Sequence, residues 1–165
     1  MLLSNRLMMG KGKVKVVSAT YVRLLAVGTS YDTHYGNYFW EIGTLEIYNQ
    51  ENTDVAAGKP CSASSSWGVS PNNAVNGNPS SYWHTHTTSS GSPGWFMVDL
   101  GGEEQITSLI VIPRNVSTWR NTVPRSFTVQ TSEDSVNWVD VDTFQFTSIS
   151  SNVVRRRDQG TFTIG

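Results

Sequence analysis

The chain has 165 residues, of which 15% are charged, and a formal net charge of −1. That length suits one domain, or one domain with a short arm, and can bury a sizeable core. The near-neutral balance argues against a dedicated nucleic-acid binder, which would carry a basic face.

Residues 1–13 include Arg6, Lys11 and Lys13 and are expected to form a flexible basic arm. Their apolar run is too short, and too soon broken by Arg6, for a secretory signal. No stretch approaches the roughly 20 apolar residues of a membrane span. Strand signals then follow at 14–28, 42–48, 94–101, 105–113, 126–132, 138–146 and 160–165. Each is short, rich in β-branched or aromatic residues, and bounded by Gly, Pro, Asn or Ser. That pattern predicts an all-β sandwich or barrel. The intervening stretches 28–41, 62–94, 114–124 and 147–159 are long, and long loops on a rigid sandwich are where function is expected.

Tyr38, Phe39 and Trp40 stand side by side just ahead of the second strand signal. In an extended chain successive side chains point to opposite faces, so at least one ring should meet solvent or a ligand. Cys61 is the one cysteine, so no intrachain disulfide exists and the redox compartment stays open. No catalytic spacing emerges: there is no G-x-S-x-G elbow, no H-E-x-x-H and no phosphate-cradling loop. The chain is therefore not expected to be an enzyme. His84 and His86 would share one side of an extended segment, but zinc needs three or four ligands and His34 would have to come from another loop. Arg155, Arg156 and Arg157 read as a solvated basic loop.

From residue 54 the order of signals is specific. The stretches DVAAGKPCSASSSWG, SPNNAVNGNPSSYWHTHT, GWFMVDLGGEEQITSLIVIPR and SFTVQTSEDSVNW resemble the discoidin domains. These are also called coagulation-factor type C domains and include the galactose-binding family of bacterial carbohydrate-binding modules. The resemblance implies an eight-stranded jelly-roll sandwich over 14–165. Such domains usually finish on an A-R-Y-V-R-L strand and an E-L-E-I-Y strand. Here their counterparts, SATYVRLLAVG at 18–28 and IGTLEIY at 42–48, come first. A jelly roll lacking two strands would expose sheet edges, and sandwich termini lie close enough to be relocated. The expectation is a circular permutation in which 14–50 completes the sandwich of 54–165.

The resemblance also implies a sugar pocket. His84 matches the family's ligand histidine, Arg114 the arginine after the long central strand, and Asn121 stands near its accompanying asparagine. Tyr38, Phe39 or Trp40 matches the aromatic at the pocket lip, with Trp40 or Tyr38 favoured, and Trp119 is a secondary contact. A sugar would stack its C–H face on the ring and give its hydroxyls to charged donors. Singly, each residue also has a plainer role, such as Arg114 pairing with Asp99 or Glu103. One departure is Thr87, where sugar-binding members often have a second aromatic. Trp83 and Trp138 match structural tryptophans and are expected in the core.

Many relatives hold calcium beside an A-V-D-G turn. Here the turn carries Asn76 and the final strand pair carries Thr44 where acids are usual. Asn73, Asn76, Asn78 and Ser81 offer oxygens and Glu41 a carboxylate, but the loss of two anionic ligands is expected to cost much of the calcium affinity. The expected function is a non-catalytic, lectin-like module for galactose-type or related cell-surface glycans. It would act in several copies or as a homo-oligomer, extracellularly or as an accessory protein on a phage virion. Two alternatives accompany it: a structural cement protein with a degenerate site, and a lipid-binding domain with residues 38–40 as membrane spikes. The lack of a basic cluster beside them counts against the latter.

Overall fold

The computed structural model describes residues 15–27, 30–32, 37–85, 94–112, 114, 126–145 and 160–164. The expected arm 1–13 and loop 147–159 lie outside the described residues. The strands are β1 (Val17–Ala26), β2 (Ser30–Asp32), β3 (Asn37–Phe39), β4 (Glu41–Ile42), β5 (Thr44–Asn49), β6 (Cys61–Ala63), β7 (Trp83–His84), β8 (Trp95–Ile112), β9 (Ser126–Ser132), β10 (Val139–Gln145) and β11 (Gly160–Thr163). A 3-10 turn, Pro71–Val75, lies between β6 and β7. The architecture is the all-β, antiparallel sandwich that the strand spacing predicts.

β8 is its spine. The first half of β8 pairs with β1 on one side and β6 on the other, with Met97 opposite Arg23 and Ser62. The second half pairs with β5 and β11, with Leu109 opposite Ile47 and Phe162. The sequence reads as two strands broken near residue 102, and the difference has a local cause. Gly101 sits at φ +78, a left-handed conformation that costs glycine little, and its N–H donates to Asp99 Oδ1 at 2.8 Å. β1 follows the bend by bulging between Ala19 and Tyr21, so the ladder runs through.

β1 lies between β8 and β9, and β5 joins the same sheet. The front of the chain therefore shares one core with the rest. Alternation on β1 sends Val22, Leu24 and Ala26 inward against Phe96 and Val98 of β8 and Phe127 and Val129 of β9. Leu45 and Ile47 of β5 meet Leu109 and Val111. Each of the larger side chains, Val, Leu, Ile or Phe, contributes about 1.5–3 kcal/mol by leaving water. Trp83 joins this core as expected and is fully buried.

Trp138 does not. It precedes β10, just after the 133–137 turn, and is half-buried on the outer face. There its ring covers the Arg23 guanidinium at 3.9 Å. Arg23 Nε donates to Gln130 Oε1 at 2.7 Å, and Gln130 Nε2 donates to Asp140 Oδ1 at 2.6 Å. The tryptophan seals a polar cross-strand row and fills no core layer.

Candidate functional site

β4 and β7 have two residues each, yet they fix the geometry of one end of the sandwich. Ile42 pairs with Trp83, both fully buried, and this anchor sets Glu41 opposite His84. The ladder is extended by Thr85 N–H donating to the Trp40 carbonyl at 2.9 Å. In return Trp40 N–H donates to Thr85 Oγ1 at 3.1 Å. Gly94 passes beside this pair, where a Cβ would stand 3.2 Å from Thr85 Cγ2 and 3.5 Å from the Trp40 ring.

Arg114 lies just beyond β8. Its guanidinium lies over the Tyr82 ring, 3.4 Å from the centroid, and Nη1 donates to Glu41 Oε1 at 3.3 Å. His84 tilts against Tyr82 at 5.5 Å on one side and stacks on Trp67 at 5.6 Å, 28° between planes, on the other. The four side chains form a continuous strip, Trp67–His84–Tyr82–Arg114. Glu41 closes it by facing both His84 Nδ1, at 3.9 Å, and Arg114.

The electrostatics follow from burial. The Glu41 side chain is 5% exposed, and a carboxylate so far from water is tolerable only when paired. Arg114, at 22%, supplies the pair and stays partly exposed. His84 Nε2 lies 3.1 Å from the Trp67 carbonyl, which can only accept, so a proton is assigned to Nε2.

A model of the F5/8 type C domain matches residues 57–163. The protein belongs to the F5/8 type C, or discoidin, family. Discoidin domains bind carbohydrates or lipids, are generally non-catalytic and are typically extracellular. No curated protein matches the chain. No helix among the described residues is long and apolar enough to cross a membrane.

Within this discoidin domain His84 and Arg114 do come together, both facing Glu41 and both packed on Tyr82. Arg114 does not use the partners weighed from sequence. Asp99 accepts from Gly101 N–H, and Glu103 accepts from Ser18 Oγ at 2.6 Å. Trp40 is the clear correction. It is 0% exposed and packs edge-on against Trp83 at 5.2 Å, so no ligand can reach its face. Residues 40–43 are all buried, so the chain is covered on both faces there. Tyr38 and Phe39 lie on β3, paired with Tyr31 and Ser30; their side chains fall outside what the structure describes. Asn121, Trp119, Thr87, His86, His34 and Arg155–Arg157 lie outside the described residues.

The calcium candidates lie close together, with the single Ser81 hydroxyl proton shared among three oxygens. Ser81 Oγ lies 2.9 Å from the Asn73 carbonyl and 2.8 Å from both Asn76 Oδ1 and the Asn78 carbonyl. Asn76 Oδ1 also accepts from Asn78 N–H, and Asn78 Oδ1 from Ser80 N–H. These groups are neutral, and Glu41, the carboxylate among the candidates, is turned to Arg114 and His84. The set lacks the charge that a hard divalent cation requires.

Glu41 as the tie, Tyr82 as the bed for Arg114, and Trp67 were not assigned from sequence. Tyr82 was readable, since Y-W-H in extended backbone puts Tyr82 and His84 on one face and Trp83 on the other. Trp67, after three serines and before Gly68, offers no period to read.

Proposed function

We propose that this discoidin domain is a carbohydrate-binding module in which Arg114 is the principal donor to sugar hydroxyls. One observation carries this reading: the guanidinium lies over Tyr82 and is tethered to Glu41 while the side chain keeps 22% of its surface exposed. A guanidinium so held loses little freedom when hydroxyls replace water on its remaining N–H groups. Vicinal hydroxyls of a galactose-type sugar suit that fork. Asn121, Trp119, Tyr38 and Phe39 belong to the proposed site as further contacts. Single open sites of this type bind weakly, so function would rest on several copies acting together. The placement of β1 and β5 in the sheet that β8 and β9 build, although both precede the family match, supports reading the chain as a circularly permuted discoidin domain.

The test is a glycan array probed with a multivalent form of the protein, wild type beside Arg114→Ala and Arg114→Lys. Binding to neutral glycans that Arg114→Ala abolishes, with unchanged far-UV circular dichroism, supports the proposal. A wild-type protein that binds no glycan refutes it. Sedimentation with anionic vesicles distinguishes the lipid-binding alternative, for which little retention is expected because Glu41 already matches the Arg114 charge.

A further inference from the structure

Trp67 is 42% exposed, whereas Trp40 and Trp83 are fully buried. An exposed indole of ordinary surface character rides on a loosely held loop; this one is fastened from several directions. The Trp67 backbone N–H donates to the His84 carbonyl at 3.2 Å. Its own carbonyl is met by His84 Nε2 at 3.1 Å, and its ring stacks on the His84 imidazole. One residue earlier, Ser66 Oγ accepts from the buried Trp83 Nε1 at 2.8 Å, pinning the approach to the core. A large apolar ring held rigid and left open to water is a contact surface whose ordering cost has been met during folding.

His84 is correspondingly committed. Nε2 faces the Trp67 carbonyl and Nδ1 faces Glu41. With both nitrogens directed at protein oxygens, the imidazole backs the indole and sets its tilt.

We infer that Trp67 is the stacking platform of the site, that it takes the C–H face of a neutral pyranose, and that His84 is the positioning residue behind it. This inference rests on the carbohydrate reading above. It assigns the stacking ring to the 64–68 loop, with Tyr38 and Phe39 left as further contacts.

The experiment uses the full chain, with lactose and the array's best neutral oligosaccharide as probes. Trp67→Ala weakens binding about tenfold or more, and Trp67→Phe, which keeps a ring, by about threefold. Both variants keep the wild-type melting temperature to within a few degrees, as expected for an exposed side chain. In 1H–15N spectra the indole N–H resonance missing from Trp67→Phe is the one that moves when lactose is added. His84→Gln, which retains a donor for the Trp67 carbonyl, binds better than His84→Ala. If wild type binds and Trp67→Ala binds equally well, the platform is overturned while the sugar site stands. If the Trp67 resonance stays still as lactose saturates the protein, the platform is likewise overturned. Equal binding by His84→Ala and wild type removes the positioning role. A wild type that binds neither probe overturns the site and its platform together.

Discussion

Replacing Glu41 with glutamine tests the tie at the centre of the site. The change keeps the shape of the side chain and removes its charge from a position that is 5% exposed. At 3.3 Å and an effective dielectric of about 20, the gross attraction to Arg114 is about 5 kcal/mol. Desolvation of both ions offsets much of this. Arg114 is 22% exposed and can turn part of its charge to water, so the loss is smaller than for a fully enclosed partner. A net destabilisation of about 2 kcal/mol is expected. For a chain of this size each kcal/mol lowers the melting temperature by about 2–4 °C, so Glu41→Gln should melt about 4–8 °C lower. Urea titrations of Glu41→Gln, Arg114→Met and the double variant complete a cycle, with an expected coupling of about 1–2 kcal/mol. Additive single effects would refute the reasoning, because the carboxylate and guanidinium would then be near each other without depending on each other. An unchanged melting point in Glu41→Gln would do the same.

Trp83→Ala should cost about 3–5 kcal/mol, since it removes a fully buried ring packed on Trp40 and Phe96; a chemical-denaturation shift of less than about 1 kcal/mol would show that the cavity collapses. Burial pushes the Cys61 thiol up to about 12, so it should resist thiol reagents at pH 8 and react fast only in denaturant. Native labelling as quick as that of free cysteine would contradict this. Asp134 is held below the usual carboxylate range, first by the backbone N–H of Asn137, then by that of Val136, and by the Asn137 side chain. A lowered folded value stabilises the protein above the unfolded value of about 3.9 and is lost as pH falls beneath it. Asp134→Asn should therefore unfold at lower urea than wild type at pH 7, with the gap closing below about pH 4; a gap constant from pH 3 to 7 would exclude the linkage.

Much of the fold was readable because its strands obey simple alternation. Val22, Leu24 and Ala26 point one way, and Arg23 points the other. What escaped were features that depend on partners distant in sequence. The β4–β7 pairing joins Glu41 to His84 through two residues on each side, too short a run for any period. Trp40 and Trp138 exchanged their expected surroundings for the same reason. The first is covered on both faces by elements that local pattern does not reveal, and the second lands outside because it stacks on Arg23, which points away from the core on β1. At the site, His84 and Arg114 were legible by type and order. The buried acid between them was not, since Glu41 in sequence is a lone carboxylate after three aromatics.

The position of β1 also bears on how the molecule is made. Arg23 and its neighbour Gln130 are 107 residues apart in the chain, yet they are adjacent in the sheet. At roughly 5–20 residues per second, a ribosome takes on the order of 5–20 s to deliver that second flank. Throughout the interval the earliest strand has an apolar face and an unpaired edge and cannot close its layer. Nascent chains should consequently dwell in a chaperone-dependent, protease-sensitive state, and production in cells should respond to chaperone supply more steeply than the stability of the finished domain would suggest.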